Sequence, residues 1–427
     1  MALISHLDPT PDEKRLVSLD ILRGFAVIGI FVVNIQIMGC HFVHRGACKA
    51  LWTSPLDQAI SMLIKLFFVN KFLSIFSFLF GLGIAMQFYR HLRKNTSVNL
   101  FFIRRLGGLL LIGALHIMLF WSGDILLIYA LLGLLLLYLL RKSKKALLGV
   151  GLLVLVFPFY HQLFGFISDV LHFNIVPEID GYTHQDLLAV NLQGSYFDTI
   201  KLRVSEYLYN LQHIHTGLVP RAFFMFTIGA LLVRKGVLSD IEHYTSVIKW
   251  KMITAFIISF LFLITLYNLI LPNMYILDAS SLIILKKIIG RVTHLLYSLS
   301  NMVIAMFYIW LITYSLRLNV VKTILSPLQY IGKMALTNYV MHSVIALFLF
   351  SSVGFGMYGS VSPTTGILIV LLVCVIQILW SKVWLTYFLY GPLEWCWRCF
   401  SYYKYLPMRK YPHAVVSSQS PENYHVL

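Results

Sequence analysis

The chain is poor in charge. Of its 427 residues only 12% are Asp, Glu, Lys or Arg against 59% hydrophobic, and acids are the scarcest, 17 beside 34 basic residues. So few charges cannot cover a soluble protein of this size, which excludes a water-soluble globular domain. Cysteine is scarce too, five residues in all, and this excludes a scaffold built on disulfides. A cleavable leader is not expected: "MALISHLDPTPDEKRLVSLDILRG" sets acids and prolines first and no cation beside Met1. The apolar stretch after Arg23 is therefore expected to be retained as the first membrane span. Internal repeats are lacking, which argues against an inverted-repeat transporter.

What the sequence has in abundance is long apolar runs. They predict about ten spans: near 22–40, 72–89, the two arms of a hairpin over 106–140, then 146–168, 219–233, 252–271, 292–316, 328–350 and 364–384. The expected fold is all-α, a polytopic integral membrane protein. The net charge of +17 is spread as clusters between spans: Arg90, Arg93, Lys94, Arg104 and Arg105; Arg141, Lys142, Lys144 and Lys145; Arg234 and Lys235; Lys404, Arg409 and Lys410. Basic clusters in alternate loops fix orientation by the positive-inside bias, with Lys286, Lys287 and Arg291 falling on the outer side as a local exception, and give no nucleic-acid surface. They set residues 1–19 and the tail 401–427, the latter partly disordered, on the cytoplasmic side of a transmembrane domain over 20–400. The turn of the hairpin and a long loop, 170–218, then face outward. The second half of that loop is amphipathic, with Leu202 and Tyr209 at helical spacing, and predicts an interfacial helix on the membrane surface or over a cavity. "LDQAISMLIKLFFVNK", carrying Lys65 and Lys71, also reads as interfacial.

Ionisable residues inside spans are costly and mark functional sites by default. "LGGLLLIGALHIMLFWSGDILLIYALLGLLLLYLL" holds His116 and Asp124 on either side of Trp121-Ser122-Gly123. A tight turn there brings the two together, so that the carboxylate orients the imidazole as a general base; equally, Asp124 could serve only to cap the fourth helix. Asp20 and Arg23 share a helix face in the first span and can pair, and Asn34 lies three turns further along. "GKMALTNYVMHS" strings Lys333, Thr337, Asn338 and His342 along one span, and "GPLEWCWRC" places Glu394 and Arg398 between tryptophans as an interfacial anchor. "QHIHTG" lacks the acidic or cysteine partners of a metal site, and Cys396-x-x-Cys399 has no second pair. Cys40 and Cys48 fall in the first external loop, where a disulfide is chemically allowed.

The blocks "RLVSLDILRGFAVIGIFVVNI", "KFLSIFSFLFGLG", "GALHIMLFWSGDILLIYALLGL", "IGKMALTNYV" and "VWLTYFLYGPLEWCWR" resemble, in order and spacing, the YeiB-like (DUF418) family of bacterial inner-membrane proteins. The first block is also similar to the opening of heparan-α-glucosaminide N-acetyltransferase and its bacterial relatives. That likeness implies a transmembrane acyltransferase, O- or N-directed, with acyl-CoA as cytosolic co-substrate, no tightly bound cofactor, and an envelope glycan or lipid as acceptor. On this reading His116, Asp124 and Asn34 are the catalytic candidates, Asn34 as an oxyanion donor. Asp20, Arg23, Arg104 and Arg105 line the CoA end, where guanidinium forks suit phosphate. In the eukaryotic relative the catalytic histidine follows the first span; His41 and His44 lie in the matching loop without aligning to it, and His342 departs from the family pattern. Other classes open to the same sequence are a small-molecule transporter or flippase and a non-catalytic envelope assembly factor. Membrane lipid is a partner on any of these readings, and nothing in the sequence sets the oligomeric state.

Overall fold

The computed structural model describes residues 16–40, 51–93, 98–156, 182–270 and 283–410, with residues 212–216 and 283–288 described in backbone alone. Among these there is no strand, only an isolated bridge between Phe388 and Arg409. The chain is an all-α, multi-pass membrane protein. Helices α1 (Val17–Met38), α2 (Pro55–Phe67), α3 (Lys71–Arg93), α4 (Val98–Leu119), α5 (Leu126–Leu139) and α6 (Lys144–Val156) are followed by α7 (His184–Gln193) and α8 (Tyr196–Arg234). Then come α9 (Ile241–Val247), α10 (Lys249–Thr265), α11 (Ile283–Ser315), α12 (Asn319–Leu325), α13 (Leu328–Lys333), α14 (Ala335–Phe350), α15 (Pro363–Tyr387) and α16 (Pro392–Tyr402).

Seven stretches among the described residues are long and apolar enough to cross a membrane: α1, Pro55–Arg93, α4, Gly217–Arg234, Lys249–Ile270, Ile289–Ser315 and α15. Helices α5 and α14 are shorter apolar helices in the same bundle. Each of the ten expected spans therefore begins on a helix, and for 146–168 only the part up to Val156 lies within the described residues. The core joins α1, α3, α4, α5, α8, α11 and α14 through side chains such as Phe31, Phe102, Tyr129, Phe226 and Tyr339. Between apolar helices in lipid, van der Waals packing of close backbones supplies much of the cohesion. Helices α3 and α8 approach so closely that a Cβ on Gly81 would lie 2.3 Å from the Phe226 carbonyl oxygen, and one on Gly229 would lie 2.3 Å from that of Phe78.

Two segments differ from the sequence reading. The amphipathic half of 170–218 is helical, but it runs without a break into the next span as a single 39-residue helix, α8. At 1.5 Å per residue that is about 58 Å, roughly twice the hydrocarbon thickness of a bilayer. Ser195 starts it through a capping box with Asp198, as Thr183 starts α7 through Asp186. Its projecting half carries α7 through Leu187, Val190, Leu202 and Tyr209. The second difference is Lys71, expected at the interface and in fact fully buried. The α2–α3 connection turns inward because Asn70 takes a left-handed φ of 68°, and its amide donates to the Tyr297 hydroxyl at 2.8 Å.

One end of the bundle is assembled by polar ties between distant segments. Asp57 accepts from the Thr364 backbone and hydroxyl at 3.1 and 2.6 Å, the Gly359 N–H donates to Gly39 O, and the Ser352 N–H donates to Asn191 O. The turn between α4 and α5 lies at this end, called here the hairpin end. The ends of α3 and α5 and the beginning of α4 mark the opposite one.

Candidate active site

The site starts from a local event. At the end of α4 the backbone N–H groups of Phe120 and Trp121 both donate to His116 O, at 2.9 and 3.0 Å, which closes the helix and swings the chain into the turn. Asp124 follows at once. One of its oxygens, Oδ1, accepts from the Leu127 N–H in the first turn of α5 at 2.9 Å. The other, Oδ2, lies 2.8 Å from His116 Nδ1. Capping and pairing, alternatives on sequence grounds, are therefore both performed by one carboxylate. The fit depends on Gly113, one turn before His116: a Cβ there would stand 2.9 Å from Asp124 Oδ1 and 2.6 Å from Leu127 N.

The third member comes from far along the chain. Ser343, on α14, sets its Oγ 2.8 Å from His116 Nε2. With Asp124 ionised, Nδ1–H donates to the carboxylate, which leaves Nε2 to accept from the serine hydroxyl. Serine, imidazole and carboxylate thus form a continuous hydrogen-bonded relay with each residue about 1% exposed. Its connectivity is that of a catalytic triad, in which the carboxylate fixes the tautomer and the histidine draws the proton from a hydroxyl. Tyr339, one turn before Ser343, packs its ring 5.4 Å from the imidazole.

The projecting half of α8 closes over this hairpin. Arg203 donates to Met118 O at 3.2 Å and Leu119 O at 3.0 Å, and to Thr199 Oγ1 at 3.0 Å. Tyr196 OH donates to Leu119 O at 2.6 Å. The carbonyls at the end of α4, which have no partner within the helix, are satisfied in this way, and a cation there also suits the helix dipole. Burial pushes the Arg203 pKa down, opposed by Tyr196 and Glu206. Ser122 Oγ donates to Glu206 Oε2 at 2.7 Å. A cavity of about 40 Å³ lies among Trp121, Ser122, Arg203, Glu206, Ala346 and Tyr358. Ala346 is one turn beyond Ser343, but His116, Asp124 and Ser343 do not line this water-sized space.

The opposite end holds Asp20, Arg23, Arg104 and Arg105. Arg23 donates to Asp20 Oδ1 at 2.7 Å, with Asp20 buried and Arg23 partly open. Arg104 lies 4.2 Å from the Tyr403 ring and Arg105 3.8 Å from the Trp397 ring, while Trp397 Nε1 donates to Arg105 O at 2.7 Å. Arg105 is within electrostatic reach of both Arg398 and Arg23, so residues far apart in sequence converge into a basic cluster. Asn34 is half-buried on α1, and among the described residues no hydrogen bond joins it to the relay. His41, His44 and Cys48 lie outside the described residues. Cys40 is disulfide-bonded, whereas Cys374, Cys396 and Cys399 are free.

Two sequence readings are corrected here. Glu394 is no surface anchor: it is buried, accepts from the Leu336 and Thr337 N–H groups at 2.6 and 3.1 Å, and takes the Thr337 hydroxyl at 2.5 Å. It ties α16 to the start of α14, and burial holds its carboxyl above the usual range against those hydrogen bonds. The second is an omission. Among the polar residues of α14, Ser343 carried no signal in the sequence, because a serine in an apolar helix ordinarily bonds its own backbone. His342, beside it, turns away to stack on Phe31 at 4.0 Å and to bond Gln377 Oε1 at 2.9 Å.

Comparison with known proteins places these features in context. A family model described as "Protein of unknown function (DUF418)" matches residues 232–404. Uncharacterized protein YxaH of Bacillus subtilis (strain 168) is 30% identical over 439 residues, covering 95% of this chain and 99% of the relative. Uncharacterized protein YeiB of Escherichia coli (strain K12) is 29% identical, covering 90% and 96%. No solved structure matches the chain.

Proposed function

The chain belongs to the DUF418 family, and on that footing we propose that it is a transmembrane acyltransferase, carrying an acyl group from cytosolic acyl-CoA to an envelope glycan or lipid across the bacterial inner membrane. The observation that carries this reading is the buried Ser343–His116–Asp124 relay. A buried histidine needs a partner at each ring nitrogen, and one held between a carboxylate and a hydroxyl is also arranged to move a proton.

The hairpin end faces the periplasm on this reading and both termini the cytoplasm. Two features support that sidedness: the basic clusters gather at the other end, and Cys40 at the hairpin end is oxidised, as an oxidising compartment allows. Arg23, Arg104 and Arg105 hold the phosphates of acyl-CoA, with Asp20 fixing Arg23. The thioester extends along the bundle to Ser343.

The serine hydroxyl attacks the thioester carbonyl as His116 Nε2 takes its proton, and the tetrahedral intermediate is stabilised by polar donors, Asn34 among them. The carbon–sulfur bond breaks, and the CoA thiolate leaves with that proton, placing the acyl group on Ser343 as an ester. An acceptor hydroxyl or amine entering from the hairpin end then loses its proton to His116 and attacks the ester. The carbon–oxygen bond to Ser343 breaks, and the serine oxygen recovers the proton from His116. A two-step route suits a membrane enzyme, since donor and acceptor approach from opposite sides and need not be bound together.

Mass spectrometry of purified protein incubated with acyl-CoA and no acceptor tests this directly. An acyl mass on the peptide containing Ser343, absent in Ser343→Ala, is expected. If Ser343→Ala transfers acyl groups at the wild-type rate, the serine is no relay. If His116→Ala also does, the enzymatic reading fails.

A further inference from the structure

A second polar cluster lies among α3, α8 and α11, and its composition is the reverse of the first. Lys71 is fully buried, and its ammonium donates to one acceptor, the Lys65 carbonyl, at 2.9 Å. Arg221 on α8 is 6% exposed, and its Nε has no hydrogen-bond partner. The Asn70–Tyr297 hydrogen bond of 2.8 Å sets the start of α3 against α11 one turn from His294, and Lys71 and His294 both lie within electrostatic reach of Arg221. Among the described residues no carboxylate bonds to any of these three side chains. His294, Tyr297 and Asn301 share one face of α11 at i, i+3 and i+7, and Tyr297 is also within electrostatic reach of Arg221. Asn301 is fully buried, its amide donating to Tyr297 O at 2.7 Å while its Oδ1 has no partner.

Buried cations are ordinarily matched by acids or by backbone carbonyls, and those inside a membrane domain all the more so. Two like charges held together without a counterion repel, and an anion placed between them would relieve that repulsion. His294 is exposed on a stretch of α11 where Val292 and Leu296 are exposed as well, and exposed apolar side chains on a spanning helix face lipid. The strained turn at Asn70, tied to Tyr297, holds Lys71 inward rather than letting it reach water.

We propose that Lys71, Arg221 and His294 form an anion-binding subsite that opens sideways to the bilayer and takes the phosphate of a lipid-borne molecule. The guanidinium supplies directed donors, the ammonium a compact second charge, and the imidazole the mouth. Phosphate is the anion that brings several acceptor oxygens to one point, as two cations from different helices require, and a lipid carries it to a lateral opening. The inference stands whether or not the Ser343 relay transfers an acyl group.

The test uses the full-length protein in nanodiscs of phosphatidylcholine with or without phosphatidate, read by thermal unfolding and by native mass spectrometry of retained lipid. Phosphatidate is expected to raise the unfolding midpoint and to remain bound. Arg221→Gln and Lys71→Met should each weaken this by about tenfold or more, the loss expected on removing one charge-assisted hydrogen bond. His294→Gln, at an exposed position where folding is insensitive, should weaken it less but measurably, and it serves if the buried variants fail to fold. Inorganic phosphate in phosphatidylcholine discs forms the second arm. Stabilisation by inorganic phosphate and none by phosphatidate would overturn the lipid source. No stabilisation by either, or equal stabilisation in wild type and all three variants, would overturn the subsite.

Discussion

The two buried polar clusters make an instructive pair. Within the relay each polar atom is matched, although the neighbouring Tyr207 and Tyr339 hydroxyls are not: Asp124 faces Nδ1, Ser343 faces Nε2, and the second Asp124 oxygen takes the Leu127 N–H. Around Arg221 the charges are of one sign, and the Arg221 Nε and Asn301 Oδ1 are left over. The first cluster is complete in itself and can pass protons along its own bonds; the second is complete only with something bound. Lys71 and Arg221 are buried much as the relay is, so burial alone does not distinguish a proton relay from a binding subsite. The balance of donors against acceptors does.

Breaking the matched cluster should have the largest effect. His116→Ala is expected to lower acyl transfer by at least about 10²-fold, the usual contribution of a general base, while membrane insertion and expression persist; turnover of acyl-CoA in vesicles measures it. The contrast with the second cluster then appears in stability. Asp124→Ala removes the partner of His116 and the acceptor for Leu127, and should cost about 1–3 kcal/mol. Arg221→Met in ligand-free protein should instead be neutral or stabilising by about 1 kcal/mol or more, because it deletes an unmatched buried ion. Thermal unfolding of the two variants side by side gives the signs, and equal destabilisation by both would erase the distinction.

A finer test concerns Gly113. Gly113→Ala pushes on Asp124 Oδ1 and Leu127 N without touching His116 or Ser343, and should reduce transfer more than it reduces stability, read as turnover against unfolding midpoint. The smallest effect belongs to the cap of α8. Hydrogen bonds from Ser195 hold the Asp198 carboxyl below its ordinary range. Its stabilisation is therefore present above the unfolded-state value near 4 and lost as pH falls through the lower folded one. The protection factors of amides at the start of α8, corrected for the intrinsic pH dependence of exchange, should fall only under acid, with no change between about pH 6 and 8. Asp198→Asn should remove that pH dependence.

Legibility in the sequence followed distance along the chain. His116 and Asp124 lie eight positions apart across a tight turn, so their meeting was readable from the hairpin alone. The ion pair of Asp20 with Arg23 was readable for the same reason, as it lies within one helical turn. Ser343 was not, since it joins His116 over 227 positions and its identity is ordinary for an apolar helix. Glu394 misled because a Pro-Leu-Glu-Trp run at a helix start resembles a surface anchor until the facing N–H groups of Leu336 and Thr337 are known. Lys71 misled because a lysine beside an amphipathic stretch reads as a membrane-surface residue, and only the turn at Asn70 sends it inward.

The sequence by itself determined an all-helical membrane bundle and the hairpin that seats an imidazole against a carboxylate, because apolar length and short-range turns act locally and need no knowledge of neighbours. The tertiary structure alone decided which hydroxyl completes the relay, that Arg221 comes within reach of Lys71, and that the second half of the long loop stands up as one helix over the hairpin. Those outcomes depend on the rotation and depth of each helix against the others, which are set by close packing across the whole bundle and are written in no single segment.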